Sequence, residues 1–234
     1  MLIHKNLTKI NRTLGKYQKF YILIHYTGNF TDTAKANTTY FKNIYRGSSA
    51  DYFSGDDGIY MCVNPCKAYS WHCGKDYSSG TAKYWGKVTN KNSIGIEMCS
   101  VNGTITEKTF KQTVSLVQKL MKKYNIPESN VLRHYDVCHK QCPGWKGWLY
   151  PDETLWYKFK QELSPAIKPI TKVTPASKLK YIKWVQEKLH IKSDGIYGKK
   201  TISAVVKYKK QHNFNNYNGE IIGRTMIKQL SKDK

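Results

Sequence analysis

The chain has 234 residues, with 39 Lys plus Arg against 16 Asp plus Glu, a formal net charge of +23. Hydrophobic residues make up 40% and aromatics 13%, which supplies a packed core and excludes a disordered chain. The length suits one or two domains, and no apolar run approaches the ~18 residues of a membrane span.

Residues 1–14 alternate charge with isolated apolar residues and hold no h-region or cleavage site, so an origin in the cytoplasm, without a signal peptide, is expected. A charge excess of this size attracts polyanions such as nucleic acid, anionic lipid or acidic wall polymer. Only four of the cations are arginine (Arg12, Arg46, Arg133, Arg224), whereas readers of DNA sequence reach base edges with Arg forks. Neither a nucleic-acid nor a membrane partner is therefore expected. Six cysteines (Cys62, Cys66, Cys73, Cys99, Cys138, Cys142) in a reducing compartment read as free thiols, several of them core residues and some available to a metal.

In chain order, Phe20 to Tyr26 is a short aromatic and β-branched run ending at Thr27-Gly28, and it predicts a buried strand. Gly58 to Val63, after the turn Gly55-Asp56-Asp57, predicts a second, and Ile94 to Cys99 a third. From Thr106 to Tyr124 the period becomes helical, with Phe110, Val114, Val117, Met121 and Tyr124 on one stripe, Thr106 as N-cap and Pro127 beyond the end. Strands alternating with helices predict an α/β or α+β domain around a central sheet.

Ser164 to Lys178 carries Pro165, Pro169 and Pro175 without apolar periodicity and predicts an extended linker. Beyond it, Asp194-Gly195-Ile196-Tyr197-Gly198-Lys199-Lys200-Thr201 is echoed by Asn218-Gly219-Glu220-Ile221-Ile222-Gly223-Arg224-Thr225. Each is a tight Gly turn opening a helical stretch, and Leu179, Ile182, Val185 and Leu189 mark a further helix, so the tail predicts a small all-α three-helix unit. Residues 165–234 hold 15 Lys and one Arg against four acids, a net of +12 in less than a third of the chain.

His25 ends a strand, while His134 and Cys142 lie eight residues apart. Two imidazoles and a thiolate suit tetrahedral Zn²⁺ with the fourth position left for water. A rival, closed site could be local: His134, Cys138, His139 and Cys142.

These residues, with Lys140 two before Cys142, Ala68 to Gly74 and Asn92 to Glu97, resemble the zinc-dependent N-acetylmuramoyl-L-alanine amidases of phage endolysins, whose fold peptidoglycan recognition proteins share. The resemblance spans roughly residues 15–160, and the tail resembles the peptidoglycan-binding domain 1 family, whose repeated D-G-x-x-G-x-x-T pattern is carried by residues 194–201 and echoed by residues 218–225, where Asn218 replaces the Asp and Gly223 falls one position later. It implies a catalytic domain over 1–163 with a mixed sheet flanked by helices, the linker over 164–178 and a peptidoglycan-binding domain over 179–234. By the same resemblance His25, His134 and Cys142 hold Zn²⁺, Glu97 of the Ile94-Gly95-Ile96-Glu97 strand is the base, and Lys140 stabilises the oxyanion. His72 and Trp71 would line the substrate groove. Some relatives place a catalytic Tyr on the strand after the first helix, but here Ala50 stands at that position, which favours the Glu-based branch.

The implied activity is hydrolysis of the bond between N-acetylmuramic acid and L-alanine by an endolysin made in the bacterial cytoplasm and acting on the wall after release. Its partners would be bacterial peptidoglycan and anionic wall polymers. Two other readings stay open: a non-catalytic recognition protein, whose usual mark is loss of the Cys ligand, and a nucleic-acid-binding protein, favoured by charge alone.

Overall fold

The computed structural model describes residues 1–163, 169 and 171–233. Its elements are β1 (His4–Lys5), β2 (Thr13–Leu14), β3 (Tyr21–Tyr26), α1 (Ala34–Asn43), β4 (Tyr52–Gly55), β5 (Gly58–Met61), β6 (Ala68–Tyr69), β7 (Ser93–Met98), α2 (Glu107–Tyr124), β8 (Val131–Arg133), α3 (His134–Cys138) and α4 (Thr154–Leu163). Three helices follow, α5 (Leu179–Lys188), α6 (Lys199–Gln211) and α7 (Arg224–Leu230). The chain divides into two compact units, 1–159 and 160–234.

In the N-terminal unit six strands pair in the order β1-β5-β4-β7-β3-β8, parallel except for the β4–β5 hairpin. The β3 run Ile22-Leu23-Ile24 is fully buried because strands lie on both sides of it and helices cover the sheet. Each such side chain contributes roughly 1.5–3 kcal/mol. Helix α2 buries Phe110, Thr113, Val114, Val117 and Leu120, while Met121 and Tyr124 of the predicted stripe are only half-buried. Thr106 caps α2 by accepting the Thr109 N–H at 3.1 Å, and Asn125 closes it in the left-handed conformation at φ 54°.

The C-terminal unit packs its three helices over Ile182, Val185, Val205, Met226, Ile227 and Leu230. The first Gly turn is held from below by buried Gln186. Its amide donates to Asp194 (2.8 Å), the Ile196 carbonyl (3.1 Å) and Thr201 (3.0 Å), and its Oε1 accepts the Gly195 N–H at 2.7 Å. Gly195 sits at φ +76°, which explains the glycine. The linker expectation is modified here. Residues 164–168 and 170 lie outside the described residues, but Val173 is fully buried in this unit's core, exchanging 2.9 Å backbone bonds with Ile222. The unit therefore starts well before residue 179.

Asp51, at the mouth of β4, is fully buried. Its Oδ2 accepts the Ser70 hydroxyl at 2.7 Å and the Gly95 N–H at 2.8 Å, while Oδ1 has no partner. Burial pushes this carboxyl up to about 6, against the opposing charge of Lys19 and the two hydrogen bonds. A raised folded-state value means that the group's contribution is complete below the unfolded value of ~3.9 and is lost as pH rises through about 6. At ~1.4 kcal/mol per pH unit this amounts to at most about 3 kcal/mol. Urea melts should therefore show wild type losing stability between pH 4 and 7 more steeply than Asp51→Asn. Equal slopes would place the pH dependence elsewhere.

Candidate metal centre and catalytic cleft

Parallel pairing assembles the site. In register, His25 on β3 stands beside Glu97 on β7, and Ile24 beside Arg133 on β8, so His134 emerges next to His25. Paired residues of neighbouring strands project to the same face. All three strands end together, the place where open α/β sheets commonly put their sites.

Arg133 anchors this end. Its guanidinium pairs with Asp136 at 2.7 Å and Glu153 at 2.5 Å and donates to the Trp148 carbonyl at 2.7 Å. One of the four arginines is thus committed to a buried internal network, with no fork left for a nucleic acid. The Cys142 loop is tied back by the Tyr135 N–H donating to the Cys142 carbonyl at 3.0 Å.

His25, His134 and Cys142 are all buried, and one ligand atom from each lies within 4.8 Å of the others. Cys142 Sγ is 3.8 Å from His25 Nδ1, and Glu97 Oε1 is 4.0 Å from the same nitrogen. Both ring nitrogens of His134 and Oε2 of Glu97 are buried without a hydrogen-bond partner. Unpaired buried polar atoms are costly, so this convergence is what a cation would satisfy. Burial, with the charges of His134, His72 and Lys140 after it, holds His25 well below the usual imidazole range. Burial and Lys140 bring His134 down to about 3. Both are therefore neutral, the ligating form. Burial pushes the Cys142 thiol far up, opposed by the Tyr26 N–H and Lys140. A bound cation would supply the charge that ionises it.

The rival local cluster does not assemble. Cys138 Sγ turns to the His134 carbonyl at 3.6 Å, and His139 is exposed and stacked on Tyr135. Among the described residues, His25, His134 and Cys142 form the one group able to hold a metal.

Burial raises the Glu97 carboxyl to about 8, with Lys140 acting against the shift and Asp32 with it. Lys140 is exposed, yet its charge reaches His25, His134, Glu97 and Cys142. A cleft of about 570 Å³ opens beside Glu97, lined by Thr27, Asn29, Asp32, Tyr40 and Phe53 among others. These lining residues escaped the sequence reading, since the β4–β7 register that sets Phe53 opposite Glu97 leaves no local signature.

The two residues expected to line the groove take separate positions. His72 is only 9% exposed and lies behind His25, its Nδ1 3.1 Å from His25 Nε2. Trp71 donates from Nε1 to Thr13 Oγ1 at 2.9 Å and meets Tyr45 edge-on, apart from the metal group. Ala50 and Tyr52 are both core residues.

Two imidazoles and a thiol converge on a group that could hold a metal, with a carboxylate beside it on the neighbouring strand. Residues 17–145 match the N-acetylmuramoyl-L-alanine amidase family, to which the chain belongs, and it is an enzyme of that class. N-acetylmuramoyl-L-alanine amidase CwlH of Bacillus subtilis (strain 168) is 29% identical over 211 residues, covering 81% of each chain. Two solved structures cover 70% of this chain. PlyL is 27% identical with a TM-score of 0.55 over 97% of its own chain; a mutant endolysin from Bacillus subtilis is 27% identical at 0.54 over 99%.

Proposed function

We propose that this enzyme is a zinc-dependent amidase that cuts the bond between N-acetylmuramic acid and L-alanine of bacterial peptidoglycan, with His25, His134 and Cys142 as ligands. The convergence of these donors, with both His134 nitrogens orphaned, carries the reading. Zinc bound there would lower the pKa of a water and polarise the scissile carbonyl.

The remaining work falls to the chain's own residues. Glu97, its unpartnered Oε2 beside the cleft, takes the proton of the attacking water and returns it to the departing L-alanine nitrogen. Burial raises its proton affinity, a bias that Lys140 and a bound cation oppose, so the carboxyl is tuned between accepting and releasing. Lys140 places a positive charge near the oxygen that becomes negative as the carbonyl turns tetrahedral.

The test is digestion of purified wall by holo and chelated protein. New L-Ala amino termini without new reducing sugar, lost on chelation, are expected. New reducing sugar would indicate cleavage of the glycan instead.

The C-terminal unit is assigned to wall binding. Support comes from its repeated turn motif, its own core, its net +12, and a cleft of about 820 Å³ edged by Lys192, Lys199 and Lys200. Tethering would raise the local concentration of the catalytic unit at its substrate without adding a catalytic contact. A chain ending at Leu163 should keep turnover on small soluble muropeptides and lyse intact wall poorly, most visibly at raised salt. Equal lysis by short and full-length chains across a salt series would leave the unit without this role.

A further inference from the structure

We propose that His72, Ser93 and the Thr89 carbonyl form a one-way hydrogen-bond chain that locks His25 in its Nε2–H form and so presents Nδ1 to the metal. The inference rests on the zinc reading above and makes His72 a positioning residue.

Donor direction follows from the far end of the chain. A carbonyl can only accept, and Ser93 Oγ lies 2.5 Å from the Thr89 oxygen, so the single hydroxyl hydrogen points there. The competing contact, Cys73 Sγ at 3.7 Å, is long, and that thiol already donates to Asn90 Oδ1 at 3.3 Å. Ser93 Oγ can therefore only accept from His72 Nε2, 3.2 Å away. The His72 ring is buried, and among the described residues its two nitrogens meet only His25 and the Ser93 hydroxyl, with no carboxylate to hold a second proton. The ring is therefore neutral, and with its proton on Nε2 it has a bare Nδ1. His25 Nε2, at 3.1 Å, must then be the donor. That leaves the His25 lone pair on Nδ1, the nitrogen facing Cys142 Sγ and Glu97 Oε1.

The surroundings hold the chain in place. Ser93 is fully buried and His72 nearly so. The backbone N–H groups of His72 and Cys73 both donate to Asn90 Oδ1 at 2.8 Å. The His72 ring lies against Gly95, where a Cβ would come within 2.7 Å of its Cγ. This gives the glycine of Ile94-Gly95-Ile96-Glu97 a purpose: it opens the space that lets His72 reach His25. Partners of this kind behind a ligating histidine set its tautomer and orientation, and losing one typically costs 10–100-fold in metal affinity.

The test measures zinc affinity by chelator competition, with histidine ring ¹H–¹⁵N correlation spectra of the zinc-loaded full chain. Wild type should show His25 protonated on Nε2 and metallated on Nδ1. His72→Leu should bind zinc 10–100-fold more weakly. His72→Asn, whose amide oxygen can stand near the lost Nδ1 and accept from His25, should recover most of that loss, and Ser93→Ala should shift affinity in the same direction by less. A purely space-filling His72 would instead lower the melting temperature of both His72 variants and leave their zinc affinity within twofold of wild type, overturning the proposal. Metal on His25 Nε2 in wild type, readable without any variant, would overturn it too. Wild type that binds no zinc at all would remove the zinc reading itself, and the proposal with it.

Discussion

Cys142→Ser is expected to give a folded protein that carries little zinc and lyses wall at least ~10³-fold more slowly, a loss of several kcal/mol in transition-state stabilisation. The fold should survive because the loop is held by its backbone. The Tyr135 N–H donates to the Cys142 carbonyl at 3.0 Å, and the Cys142 N–H to the Lys140 carbonyl at 2.7 Å. The substitution changes one buried atom, from a soft sulfur that ionises beside a cation to a hydroxyl that does not. Metal analysis of the purified variant beside a turbidity assay checks both halves. Full zinc retention, with loss only on changing Cys138 or His139, would move the site to the local cluster.

Glu97→Gln should load zinc normally, bind wall normally and turn over roughly 10²–10⁴ more slowly, the usual contribution of a positioned general base. Glutamine keeps the shape on β7 and lies outside the ligand set, so zinc content and melting temperature should follow wild type. What it loses is the proton-accepting oxygen beside the cleft. Near-normal kcat in a zinc-loaded variant would show that the reaction proceeds without this carboxylate. Measured together, the two variants separate a role in holding the metal from a role in moving the proton.

How far the residues alone reach can be judged from particular cases. The apolar run at Tyr21–Tyr26, the helix at Glu107–Tyr124 and the three tail helices were legible because hydrophobic periodicity and capping act over a few neighbouring positions. The short strands β1, β2 and β6, two residues each, carry no such pattern; their pairing depends on partners 54–56 residues away. The extent of the C-terminal unit is hidden from local pattern for the same reason. Val173 looks like linker until Ile222, far along the chain, pairs with it.

At the site, the residue types were determined by the sequence itself: two histidines, a cysteine, a glutamate and a lysine, in an order and spacing that carry the family resemblance. Which of them meet was decided by parallel pairing of β3 with β7 and β8, because strand register is a property of the whole sheet. The resemblance already pointed to His25, His134 and Cys142, and the tertiary structure brings one ligand atom of each within 4.8 Å of the others while Cys138 and His139 face other partners. It also turned His72 from an expected groove residue into the partner of His25 Nε2, since nothing in the order Trp71-His72-Cys73 tells which way a ring will face. Local chemistry is written along the chain, whereas a ring's direction is set by the strand it packs against, and for His72 that strand is β7 at Gly95.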